Sequence, residues 1–76
     1  MSKPSRPDYG KLCDTFAMLV RAKRESLGLS MSEVAQRAGL SQQMVSYVER
    51  GLRVPTLESM YRLSHALSTP LRDLID

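Results

Sequence analysis

A repeating punctuation cuts this chain into short helical pieces. Hydroxyl residues suited to cap a helix start stand at Ser30, Ser41, Thr56 and Thr69, and glycines suited to end one stand at Gly28, Gly39 and Gly51. Between Ser30 and Gly51 two such units follow each other with only Gly39-Leu40-Ser41 between them. A helix confined to two or three turns is not stable alone, so these pieces must bury their apolar sides against one another. The apolar residues recur at helical spacing and nowhere alternate as a strand requires. An all-α fold of five packed helices is therefore expected.

The first helix runs over residues 11–27, with apolar positions at 12, 16, 19, 20 and 27, and Gly28 ends it. The second starts at Ser30, which stands three residues before Glu33 in a capping-box arrangement, and turns Val34, Ala35 and Ala38 inward. The third is capped by Ser41 and continues through residues 42–50, with Val45 and Val48 inward. After a loop closed by Pro55, Thr56 caps a fourth helix with the stripe Leu57, Met60, Leu63, Ala66 and Leu67. Thr69-Pro70 is a cap followed by proline at the first helical position, and opens a last short helix carrying Leu71, Leu74 and Ile75. Residues 1–10, with two prolines and no apolar periodicity, read as a flexible N-terminal arm, leaving 11–76 as one domain.

The 76 residues have room for a single core. A domain of this size buries only about 60–65% of its unfolded surface, which favours association with a second copy. Cys13 is the only cysteine and makes no internal disulfide, which suits a reducing, cytoplasmic setting. No apolar run reaches the ~20 residues of a membrane span, and no hydrophobic leader stretch opens the chain. Phosphate loops, paired carboxylates and Ser-His-Asp sets are absent, and Cys13 and His65 stand too far apart to suggest a metal site. Neither an enzyme, a cofactor, a metal nor a small-molecule effector is expected. The net charge is +3, with eight of eleven cations being arginine and the excess lying in the first two thirds. That balance is compatible with an acidic partner without identifying one.

Residues 30–50 have the layout of a helix-turn-helix. Ala35 is small enough for the two helices to approach, and Gly39 lets the chain turn. With Val45 and Val48 inward, the other side of the third helix carries Gln42, Gln43, Ser46, Tyr47 and Arg50. All five side chains can form hydrogen bonds and none is acidic. A glutamine amide can bond adenine through two contacts in the major groove, worth roughly 1–3 kcal/mol of discrimination. Tyr47 can instead be a half-buried packing residue, and the polar face can be simply solvated.

The chain resembles the lambdoid-phage-repressor-like helix-turn-helix family of bacterial transcription regulators, the xenobiotic-response-element or Cro/C1 type. The matched string is Arg24, Gly28-Leu29-Ser30, Glu33-Val34-Ala35, Ala38-Gly39-Leu40-Ser41, Val45-Ser46, Val48-Glu49-Arg50-Gly51, Pro55, Leu57, Met60, Leu63 and Ala66-Leu67, covering about residues 16–76. The resemblance implies a compact five-helix DNA-binding domain whose third helix reads bases with Gln42 and Gln43, then Ser46 and Tyr47 on the next turn. It implies a structural salt bridge between Arg24 and Glu49. Where the family often has a phosphate-touching Gln this chain has Met31, so phosphate contacts fall to Ser32 and the nearby backbone N–H groups, to Arg50 and Arg53, and to Arg37 and Arg21.

The implied function is a transcription regulator, with repression as the favoured mode. It acts as a homodimer on a palindromic double-stranded operator, through Leu71, Leu74 and Ile75 or the outer side of the fourth helix. An antitoxin or protein-interaction adapter using the same fold is the alternative, and RNA binding is disfavoured because the chain offers no aromatic stacking platform. Lys3 and Arg6 of the arm are placed either along the DNA or in solvent.

Overall fold

Each short helix forms because its cap and its apolar side are both supplied locally. The structure, a computed structural model, describes residues 9–75, with helices α1 Tyr9–Ser26, α2 Met31–Ala38, α3 Gln42–Glu49, α4 Leu57–Ala66 and α5 Arg72–Ile75. No strand occurs among the described residues. Tyr9 and Gly10, which the sequence assigned to the arm, already belong to α1. An apolar pattern marks only the buried part of a helix, and Gly10 is exposed. Residues 1–8, including Lys3 and Arg6, lie outside the described residues.

At the start of α2, Ser30 Oγ accepts from the Glu33 N–H at 3.0 Å while the Ser30 N–H donates to Glu33 Oε1 at 2.8 Å. That second bond holds the Glu33 carboxyl below its usual range, since it stabilises the charged form. Ser41 Oγ and Thr56 Oγ1 accept in the same way from the N–H groups of Met44 and Ser59. At the end of α2, Gly39 takes φ +70°, and the Leu40 N–H donates to Ala35 O at 2.9 Å. A Cβ at this position would lie 2.8 Å from Arg62 Nη1, so a side chain would meet both left-handed strain and a guanidinium. That guanidinium donates to Ala38 O at 3.2 Å and pairs with Glu58, fastening the turn to α4.

The core is built by Phe16 and Val20 of α1, Leu29, then Val34, Ala35 and Ala38 of α2, Val45 and Val48 of α3, Leu63 and Ala66 of α4, Leu67, and Leu74 of α5. α2 packs on α3 and α4, and α1 packs on α3 and α5. Met31 and Met44 lie partly buried against this core. Met31 therefore packs where the resemblance would have placed a phosphate-touching glutamine.

Three further sequence expectations change. Leu57 is 73% exposed and does not continue the inner stripe of α4, which consists of Leu63, Ser64 and Ala66 with Met60 half-buried. It sits on the first turn of α4. Thr69 does not cap α5: its hydroxyl donates to Leu67 O at 2.9 Å, and α5 opens with tight i to i+3 bonds from the N–H groups of Asp73 and Leu74 to the carbonyls of Pro70 and Leu71. Leu74 is fully buried and unavailable to a second copy, whereas Ile75 is half-open. Docking α5 onto α1 uses Leu74 as its anchor.

Candidate nucleic-acid interface

Ser41 fixes where α3 begins and Val45 and Val48 fix how it is rotated, because both valines are fully buried. This places Gln42 and Gln43 on the exposed first turn, with Ser46 and Tyr47 half-buried one turn further and Arg50 exposed at the end. Glu49 is the one acidic residue of the helix, and it is directed inward. Arg24 Nε donates to Glu49 Oε2 at 2.6 Å and Nη2 to Oε1 at 3.0 Å, a two-pronged bridge in which the Glu49 side chain is 1% exposed. Arg24 Nη1 also donates to Leu29 O at 2.9 Å, so one guanidinium ties α1, the start of the α2 capping region and the end of α3. The bond to Glu49 raises the Arg24 pKa above its ordinary value.

The exposed side of α3 is organised around Tyr47. Gln43 Nε2 donates to Tyr47 Oη at 2.7 Å. The guanidiniums of Arg50 and Arg53 lie 5.6 and 5.7 Å from the Tyr47 ring centroid, within cation–π range. A carboxamide, a phenol and two permanent positive charges thus meet in one patch. The chemistry of that patch suits a ligand presenting hydrogen-bonding edges beside anionic oxygens.

The other candidate residues are spread out. Ser32 is exposed on the first turn of α2. Arg21 pairs with Glu25 on α1, 3.5 Å apart, and shares with Arg50 the rim of an open groove between α1 and the end of α3. Arg37 lines a different groove, with Glu58, Tyr61, Arg62 and His65. The structure therefore groups Gln43, Tyr47, Arg50 and Arg53, places Arg21 at their border, and sets Arg37 on the side facing α4. Sequence reasoning missed Arg62, whose bond to Ala38 supports the turn. Its only sequence signal is the Glu58–Arg62 spacing, which marks an ion pair along one helix but not the reach to α2. His65 is exposed beside Tyr61, their ring centroids 6.1 Å apart. Among the described residues no cluster of His, Cys, Asp or Glu is grouped to hold a metal ion, and no helix is long and apolar enough to cross a membrane.

Residues 20–74 match the model of the helix-turn-helix family HTH_3. The chain belongs to this family, of Cro/C1 type. An uncharacterized HTH-type transcriptional regulator of Sinorhizobium fredii is 44% identical over 60 residues, 79% of this chain and 73% of that protein. A Mycobacterium tuberculosis regulator is 40% identical over 48 residues, 63% of this chain and only 34% of its own length. Among solved structures, the restriction-modification controller protein of Aeromonas hydrophila superposes with TM-score 0.79 at 34% identity, covering 82% of this chain and 94% of that one. A hypothetical transcription factor from Neisseria gives 0.84 at 29% identity, covering 99% of this chain and 87% of that one. The chain is a transcriptional regulator with a helix-turn-helix DNA-binding fold, in a family of DNA-binding regulators rather than enzymes.

Proposed function

We propose that this regulator binds a palindromic double-stranded operator as a homodimer and represses transcription by occupying it, each α3 lying in a major groove. The observation that carries the reading is the exposed side of α3: two glutamines lead it, two arginines flank Tyr47 beside it, and its one carboxylate is buried against Arg24. Gln42, Gln43, Ser46 and Tyr47 form the base-reading set. Arg50 and Arg53 hold phosphates, with Ser32, Arg21 and Arg37 as outer contacts.

Two copies place two α3 helices about 34 Å apart, one DNA turn, so the site is a pair of half-sites. The second copy would be met by Leu57 and Tyr61 of α4 and by Leu52 and Val54 of the preceding loop, all strongly exposed apolar side chains.

Selection of bound duplexes from random DNA tests this reading. Gln42→Ala and Gln43→Ala each lose about 1–3 kcal/mol of discrimination at one base pair. Arg53→Ala weakens all sequences alike and lowers the slope of log affinity against log salt by about one. Enrichment of no sequence, or glutamine variants that discriminate like the parent, would remove the base-reading role.

A further inference from the structure

Tyr47 occupies a reading position, yet its polar atom is engaged within the protein. Gln43 gives one amide N–H to Tyr47 Oη at 2.7 Å across one helical turn, so the carboxamide is held before any ligand arrives. A planar amide with one N–H so engaged keeps its second N–H and its carbonyl Oε1 in a set direction. Those two groups are the donor and acceptor that match N7 and the N6 amino group of adenine. The phenol ring is itself restrained, being half-buried and attended by Arg50 and Arg53 at 5.6 and 5.7 Å.

We propose that Tyr47 is a positioning residue: it orients the Gln43 amide for an A·T base pair and links that orientation to the two arginines that grip the adjoining phosphates. The proposal rests on the reading of α3 as the base-contacting helix and adds how one of its contacts acquires selectivity. Ordering a glutamine side chain costs rotamer freedom. A protein that has ordered it beforehand loses less on binding the matching base and rejects a base whose edge presents the opposite pattern. Tyr47 thus belongs to the base-reading set through Gln43, without touching a base itself, and its ring acts through the arginines.

The test uses the whole chain and duplexes carrying either the selected base pair or each alternative at the Gln43 position, with an unrelated duplex as reference. Tyr47→Phe keeps the ring and removes the hydroxyl. Discrimination at that one position, read as the ratio of affinities for the selected and the alternative base pairs, should fall about three- to tenfold, the scale of one hydrogen bond. In a Gln43→Ala background the same substitution should have no further effect. Tyr47→Leu, which also removes the ring, should in addition weaken binding to the unrelated duplex about two- to fivefold. Full discrimination in Tyr47→Phe, with Gln43→Ala losing it, would overturn the positioning role while leaving the base reading intact. An undiminished Tyr47→Phe effect in the Gln43→Ala background would overturn it in favour of a direct contact. Unchanged discrimination in Gln43→Ala itself would remove the underlying reading and the proposal with it.

Discussion

A carboxylate at the end of the helix proposed to face DNA is tolerable when its charge is neutralised inside the protein. Glu49 meets that condition through its two-pronged bond to Arg24. Removing one partner leaves the other charge buried and uncompensated, at a cost of about 3–5 kcal/mol. At about 0.05–0.15 kcal/mol per residue, a chain this long has only ~4–11 kcal/mol of stability in total. Glu49→Ala is therefore expected to remove a large share of that stability, measured as a marked fall of the urea midpoint with little change in slope. Glu49→Gln, which retains acceptor capacity, should fall between it and the parent. The pairing came from the family pattern, because nothing in the spacing of 25 positions says that the two side chains meet.

At the level of single helices, local chemistry was largely legible. Ser30, Ser41 and Thr56 cap as their positions suggest, since a cap depends only on residues two or three places on. The capping box on α2 also gives a pH signature. Glu33 has a lowered pKa in the folded chain, so in the acid range the unfolded state binds more protons. Its contribution is complete above the ordinary glutamate value of about 4.3 and disappears as the pH falls through the lowered native value. Thermal melts of the parent and Glu33→Gln should therefore converge as the solution is acidified from about pH 6 to about pH 3. The end of α4 was not legible. It is closed by Ser68 at φ 51°, with the N–H groups of Ser68 and Thr69 donating to the carbonyls of His65 and Ser64. A serine there gives no glycine signal, and it draws Thr69 into ending one helix rather than starting the next. Likewise the four-residue spacing of Gln43 and Tyr47 was visible, but which atoms face each other is decided by how the valines rotate α3.

For the whole molecule, periodicity identifies an apolar side without saying what covers it. Leu57 lies on the apparent stripe of α4, yet its side chain is open to solvent, as are those of Leu52, Val54 and Tyr61. Leu57→Asn is expected to convert a dimer to monomer in sedimentation equilibrium and to weaken binding to a two-half-site duplex, while binding to a single half-site is retained. A parent chain that sediments as a monomer at micromolar concentration, or a Leu57→Asn chain that remains dimeric, would exclude this surface as the contact. The bond from Arg62 to Ala38 carries a different consequence. The turn between α2 and α3 is braced by a residue synthesised 24 positions later, so a segment containing only residues 30–51 has both helices and their caps but lacks the brace. The helix-turn-helix unit is therefore not a portable cassette: grafted onto another scaffold, it would need a guanidinium delivered to the same carbonyl to keep its turn.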